Sequence, residues 1–289
     1  MLRLAVATQQ ETFERVREPL ADRGVEVVPL RASERTLSLS SPSLPSVDVG
    51  FVFPSRLMEG GAVAAALDVP WVNDREAVLR SRNKAGALAR LAAADVPTPA
   101  TTLVSNPVED SAVAEAAADL GYPVVVKPNS TTRGVGVAKV TDPDSLSGVT
   151  DYLDLVHDYR ATGDKSYLLQ RFVPDARDYR AMVVGGEYAG AVERRLSEAA
   201  LADGRWKHNV HRGAEATGVD LPAEARRLAE RAAAALGVEY LGVDLLETEE
   251  GYLINETNAR PTVDAATKYE PEFYDRLAKL IRETAADGD

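Results

Sequence analysis

Gly242-Val243-Asp244-Leu245-Leu246 and, after a short turn, Tyr252-Leu253-Ile254-Asn255-Glu256-Thr257-Asn258 form the stretch around which the rest of the chain is organised. Asp244 lies within an apolar run from Leu241 to Leu246, and Glu256 and Asn258 end a second one. Thr248-Glu249-Glu250-Gly251 between them carries turn chemistry, so the segment predicts a hairpin. Side chains two apart on a strand share a face, and Glu256 and Asn258 therefore point the same way. If the hairpin pairs the two runs, Asp244 can face both. Two carboxylates and an amide oxygen then converge. Such an all-oxygen set suits magnesium, which takes one or two carboxylates and fills its remaining positions with substrate phosphates and water. Acidic residues beside a turn are more often simply solvated, so the rest of the chain must decide between the two readings.

With 289 residues the chain can bury a sizeable core and divide into two or three subdomains. No apolar run approaches the roughly 18 residues of a membrane span, so no membrane partner is expected. The stretch Met1 to Ala7 is too short for a signal peptide and predicts a first buried strand. The absence of cysteine excludes disulfides and thiolate chemistry, and a cytoplasmic protein is expected. Net charge is −12 and no basic run stands out, which argues against a nucleic-acid partner. Only 7 of the 33 basic residues are lysine. Acid excess, scarce lysine and abundant alanine suggest a protein kept soluble in high salt, hence a halophilic source.

Residues 1–80 predict a small α/β domain with a parallel sheet. Strands at Leu2–Ala7, Val25–Leu30 and Val47–Phe53 alternate with helical patterns at Glu11–Arg23 and Met58–Leu67. No G-x-G-x-x-G follows the first strand. Residues 81–167 predict an α+β unit. Its helices lie from Arg82 to about Ala94 and from Pro107 to Leu120. A buried strand, Pro123-Val124-Val125-Val126, ends in Lys127-Pro128. Residues 168–289 predict a final unit with a hairpin at Gly185-Gly186, an alanine-rich helix at Pro222–Leu236, the acidic hairpin and a last helix from Pro271.

Three groups carry candidate chemistry. Lys127 ends a buried strand and precedes Asn129-Ser130-Thr131-Thr132-Arg133-Gly134-Val135-Gly136. Small residues let backbone N–H groups approach phosphate oxygens, and a lysine adds a point charge. Plain hairpins share this composition. Lys84, at a helix start, is a second candidate for a phosphate, or else a solvated surface lysine. Arg194, Arg195, Lys207, His208, Asn209, His211 and Arg212 concentrate positive charge in an acidic protein, which suits an anionic substrate or a transferring phosphoryl group. Ion pairs with local glutamates are the alternative. A zinc site is disfavoured, since His208 and His211 have no cysteine or other partner in a tetrahedral pattern.

Taken in order, these pieces resemble the ATP-grasp superfamily, and within it the RimK-like amino-acid ligases. The matching segments are Asn83-Lys84, Pro123 to Pro128 with its loop, Gln170-Arg171-Phe172-Val173, Asp178-Tyr179-Arg180, Glu193-Arg194-Arg195, Asn209 to Gly213, Gly242-Val243-Asp244 and Asn255 to Asn258. They cover about Arg82 to Ile281, and the small domain before them fits as well. The resemblance implies an ATP-grasp fold with an N-terminal parallel-sheet domain, a central lid subdomain and a C-terminal ATP and magnesium subdomain. It implies that Lys127 and Lys84 hold ATP phosphates, and that Ser130 to Gly136, with Gly134 among them, closes over these as a lid. Gln170, Arg171 and Phe172 would flank the adenine, Arg171 and Phe172 largely through main-chain groups. Asp178 would contact ribose, and Lys207 and Asn209 would lie near the phosphates. Asp244, Glu256 and Asn258 would bind magnesium or manganese, with two ions bridged by Glu256. Arg212 and Arg194 would steady the phosphoryl group and an acyl phosphate.

The implied reaction is an ADP-forming carboxylate–amine ligation, with glutamate or another amino acid as amine. The carboxylate would belong to a protein tail, a carrier protein or a small coenzyme. Members of such a family often assemble as homo-oligomers. Three departures stand out: Arg171 where an acidic residue is common, Ala259-Arg260-Pro261-Thr262 without the usual glycine, and few glycines in the lid. Arg260 is then a candidate for a substrate carboxylate. A D-alanine–D-alanine-type ligase, a biosynthetic carboxylase and an ATP-binding regulator without turnover are the alternatives. Intact Lys127, Asp244, Glu256 and Asn258 argue against the last, and slow hydrolysis without any acceptor would leave it open.

Overall fold

The computed structural model describes residues 1–7, 10–131, 134–156, 164–208, 210, 213–265 and 268–288. Strands β1 (Leu2–Val6), β2 (Val25–Pro29), β3 (Val49–Phe51) and β4 (Trp71–Val72) form a parallel sheet in the order β2-β1-β3-β4, with helices α1 (Gln10–Ala21) and α2 (Leu57–Leu67) as crossovers. This is the parallel sheet that the βαβ alternation predicts. Gly50 lies under the Trp71 indole, where an added Cβ would come within 2.3 Å of the ring. The end of β3 runs into Val52 at φ 58°, a left-handed conformation that a β-branched residue rarely adopts.

Asp74 caps α3 (Arg75–Arg82) by accepting from the Ala77 N–H at 2.8 Å. Asn83 ends that helix and caps the next, accepting from the Gly86 N–H at 3.0 Å, so that Lys84 becomes the first residue of α4 (Lys84–Ala93). The expected division at 80/81 falls inside α3.

The central sheet is antiparallel, in the order β5 (Thr101–Ser105), β8 (Ser166–Arg171), β6 (Val124–Pro128), β7 (Ala138–Val140). Helices α5 (Asp110–Leu120) and α6 (Pro143–Val156) cover one face over a core that includes Val113, Val126, Leu146 and Leu169. Lys127 and Gln170 come from β6 and β8. The expected division at 167/168 falls inside β8, which pairs along its length with β5 and β6, so this sheet ends at Arg171.

The third sheet is antiparallel and five-stranded. Its order is β11 (Glu215–Val219), β10 (Glu187–Arg195), β9 (Arg177–Val184), β12 (Tyr240–Thr248), β13 (Gly251–Asn258). Strand β11 and the short helix α7 (Glu198–Ala202) are additions to the sequence-based expectation. Helix α8 (Ala223–Leu236) lies on this sheet through Ala225, Ala229, Ala232 and Ala233, all buried. Helix α9 (Phe273–Ala286) bridges to the N-terminal sheet. One continuous core joins Leu4, Phe51 and Val72 to Tyr240, Val243 and Ile281. Buried Asn73 reinforces this junction by donating to the carbonyls of Tyr240 (2.5 Å) and Ala259 (2.7 Å). Among the described residues no helix is long and apolar enough to cross a membrane.

Candidate active site

The acidic hairpin forms as predicted. Strands β12 and β13 pair with Asp244 opposite Glu256 and Gly242 opposite Asn258, so the three oxygen-bearing side chains share one face. Asp178 and Arg180 of β9 and Arg194 of β10 join them there, since Asp244 lies opposite Arg180 and Arg194 opposite Asp178.

This face holds a buried charge network. Arg180 forks onto Asp244, Nε to Oδ1 at 2.7 Å and a terminal nitrogen to Oδ2 at 2.8 Å. Arg194 bridges the two acids, with a terminal nitrogen 3.1 Å from Asp244 Oδ2 and its Nε donating to Asp178 at 2.6 Å. Burial alone would raise the Asp244 pKa, but the two guanidiniums outweigh it and hold the group below its ordinary value. Asp178, with Arg194 as its arginine partner and Asp244 nearby, is pushed up by burial. Burial works against the charge on Arg194 too, and the flanking carboxylates reverse that and raise its pKa. His208 Nδ1 lies 3.0 Å from the Arg194 carbonyl oxygen, which fixes Nδ1 as the protonated nitrogen.

Two lysines face the hairpin from other elements. Lys84, buried on the first turn of α4, donates to the Thr131 carbonyl and sits 3.3 Å from Glu256 Oε1. A lysine at a helix N-terminus opposes the macrodipole, so its position there gives α4 no stability. Lys127, buried at the end of β6, donates to Gln170 Oε1 (2.5 Å) and Asn255 Oδ1 (2.9 Å). Desolvation depresses its pKa to about 8. The loop after it turns at Gly134 (φ 66°) and Gly136 (φ 72°), and a Cβ at Gly136 would meet Pro128 at 2.7 Å. The Ser130 hydroxyl in this loop is buried without a hydrogen-bond partner. That orphaned donor fits a ligand oxygen, the group that the resemblance places beside it.

Other predicted residues lie further out. The Arg171 side chain is exposed, and its Nε donates to the Leu120 carbonyl at the C-terminus of α5 (3.2 Å), so the guanidinium caps a helix instead of facing a ligand. The main-chain N–H groups of Arg171 and Phe172 are engaged by the carbonyls of Ala100 and Pro123. An adenine contact at this hinge would therefore fall to main-chain carbonyls. The Phe172 ring meets Trp206 edge-on at 5.8 Å, and Lys139 of β7 sits over both rings. Lys207 donates to the Val137 carbonyl, tying its loop to the start of β7. Asn209, His211 and Arg212 lie outside the described residues.

Arg260, expected near a substrate carboxylate, is held by main chain. Its guanidinium donates to the carbonyls of Ala7 (3.0 Å), Val52 (3.3 Å) and Phe53. Its own N–H donates to Asn258 Oδ1 at 2.9 Å. Two residues that sequence reasoning left out of the site, Arg180 and Asn255, belong to it by contact. Arg180 carried a readable signal, being two residues from Asp178 on one strand.

Among the described residues no three acidic or histidine side chains converge as a metal cluster. An ion here would take the oxygens of Asp244, Glu256 and Asn258 and complete its shell from phosphate and water, the coordination that suits magnesium. Asp244 would have to release part of the Arg180 fork to do so. In sum the face combines buried cations, acidic oxygens and an orphaned hydroxyl. Such a set can bind a polyphosphate, neutralise its charge and exclude water.

A family model described as RimK-like ATP-grasp domain matches residues 81–280. A probable alpha-L-glutamate ligase from Citrobacter koseri is 31% identical over 199 residues, which cover 68% of this chain and 62% of that protein. A ribosomal protein bS6–L-glutamate ligase from Escherichia coli is 29% identical over 213 residues, 73% of this chain and 66% of that protein. The chain thus spans just under two thirds of the length of these curated relatives. Among solved structures, a RimK domain ATP-grasp protein from Sphaerobacter thermophilus superposes with a TM-score of 0.68 at 25% identity, over 97% of this chain and 99% of that one. A D-alanine–D-alanine ligase from Bacillus anthracis gives 0.70 at 17% identity, over 99% and 98%, a likeness of fold alone.

Proposed function

The chain belongs to the RimK-like ATP-grasp family, and from that premise we propose that it is an ATP- and magnesium-dependent ligase that joins an amine to a carboxylate. One observation carries the reading: Lys84 and Lys127, from separate elements, bring two buried amines to the face that displays Asp244, Glu256 and Asn258. Glutamate is the favoured amine, because the relatives are named for glutamate ligation. A protein carboxylate is the favoured donor, because one relative is named for a ribosomal protein.

A carboxylate is a poor electrophile. Transfer of the γ-phosphoryl group of ATP to it would give an acyl phosphate, which an amine attacks with loss of phosphate. The protein's part is to position, to neutralise charge and to keep water out. Lys84 and Lys127 would hold phosphate oxygens. Ser130 would donate its free hydroxyl there, and the loop to Gly136 would cover them. Asp178 would meet the ribose. Arg194, with Arg212, would steady the anion that develops on the transferred group. Asp244, Glu256 and Asn258 would hold one or two magnesium ions, which supply further charge neutralisation when bound. No nucleophilic side chain is required, in keeping with a chain that has no cysteine.

The test is ADP release with magnesium-ATP, a panel of amino acids and candidate carboxylates that include a peptide with a free C-terminus. Release that depends on glutamate and a carboxylate, and vanishes in Glu256→Gln, is expected. ATP binding without stimulated release by any pair would overturn the ligase reading.

A further inference from the structure

Lys84 and Lys127 face the same hairpin but are held by opposite chemistry. Lys84 sits against a carboxylate, that of Glu256. Lys127 sits between two neutral amides, those of Gln170 and Asn255. A β-bulge creates this difference. Asp244 pairs with Glu256 while Leu245 pairs with Ile254, which leaves Asn255 as the extra residue of β13. In a regular strand, residues 255 and 256 would lie on opposite faces. Ile254 is fully buried, on the side of Leu245, and after it the bulge delivers both Asn255 and Glu256 to the lysines.

We propose that Asn255 is a positioning residue for Lys127, aiming its ammonium at a nucleotide phosphate through a neutral acceptor that leaves the full positive charge for the ligand. The proposal rests on the reading of Lys127 as a phosphate-binding lysine. An ammonium has three donors, and the two amide oxygens take two of them in a fixed direction. Gln170 is itself oriented, because its Nε2 donates to Thr101 Oγ1 at 2.9 Å and its oxygen must then face Lys127. A carboxylate in place of either amide would hold the amine equally well but neutralise it. The amide of Asn255 therefore does what an aspartate there could not.

Calorimetric titration with magnesium-ATP tests this on the full chain, using wild type, Asn255→Ala, Lys127→Ala and the double variant. Asn255→Ala is expected to weaken ATP about tenfold, the low end for a hydrogen bond to a charged group. In the Lys127→Ala background the same change should cost less than about twofold, because its effect passes through that amine. Asn255→Asp keeps the shape and the acceptor, so it folds where alanine fails to, and it too should bind about tenfold more weakly through loss of net charge. An equal loss from Asn255→Ala in both backgrounds would mean a role in the bulge alone and would overturn the proposal. So would wild-type affinity in Asn255→Asp. If wild type itself binds no ATP, the failure lies with the ligase reading instead.

Discussion

The five-stranded sheet carries a charge network on each face, and the two differ in what surrounds them. On the site face, Asp244, Arg180, Arg194 and Asp178 are held together with Arg194 only 6% exposed. On the other face, Arg177 links Glu193 (3.1 Å) and Glu247 (3.1 Å), and Glu247 also accepts from Tyr179 (2.5 Å) and Tyr252 (3.2 Å). Arg177 is 51% exposed. Strand alternation builds both: Arg177 and Tyr179 point one way, Asp178 and Arg180 the other. Near-identical residues thus serve different ends. Water screens the outer set, which is worth little to stability. The inner set has no such relief, so each charge there is held by its partners or not at all.

The widest gap between the faces should appear on arginine removal. Arg194→Ala strands the buried Asp178 carboxylate and leaves Asp244 to Arg180 alone, and is expected to destabilise the fold by about 3–5 kcal/mol, read from urea denaturation. A loss under 1 kcal/mol would show that water reaches the site face freely and would break the comparison. Next in size is an effect on turnover. Glu256 is 37% exposed, so Glu256→Gln should lower the unfolding free energy by no more than about 1 kcal/mol while ADP release falls about a hundredfold or more. Glu247→Gln on the other face should leave release unchanged.

A smaller effect follows from Lys127, whose pKa lies near 8 against an ordinary 10.5. The folded value is the lower one, so between these limits the unfolded chain binds more protons and this group's contribution to stability rises with pH. ATP affinity should move the other way, falling about threefold to tenfold from pH 7 to pH 9.5 as the amine loses its charge. Lys127→Arg should flatten that dependence. The smallest effect is that of Arg177→Ala, expected at about 0–1 kcal/mol and diminished further in molar salt.

What could be seen in the sequence was set by local pattern. The hairpin at Asp244 and Glu256 and the glycine pair before Glu187 both follow from residues close in the chain. The bulge at Asn255 was invisible, because it is a property of how β13 registers on β12. The same holds for Arg171, whose partner is a carbonyl 51 residues away at the end of α5. The divisions at 80/81 and 167/168 followed the local helix and strand patterns, whereas pairing places β8 in the central sheet and packing sets α3 against β13. Strand β11, with sequence Glu-Ala-Thr-Gly-Val, has too few apolar residues to announce itself. Arg180 was quoted for its neighbours; its spacing from Asp178 was readable, and its pairing with Asp244 shows its place in the site.

Arg260 and Asn73 have a consequence for how this protein can change. Both join the N-terminal sheet to the five-stranded sheet by grasping carbonyl oxygens, those of Ala7, Val52 and Phe53 in one direction and of Tyr240 and Ala259 in the other. Every residue type supplies a carbonyl. The joint is therefore indifferent to the side chains at those five positions and responsive only to the path of the chain. A foreign N-terminal sheet of matching trace could keep these bonds provided it carried an asparagine at position 73 and filled the shared apolar core, leaving its loops free to diversify.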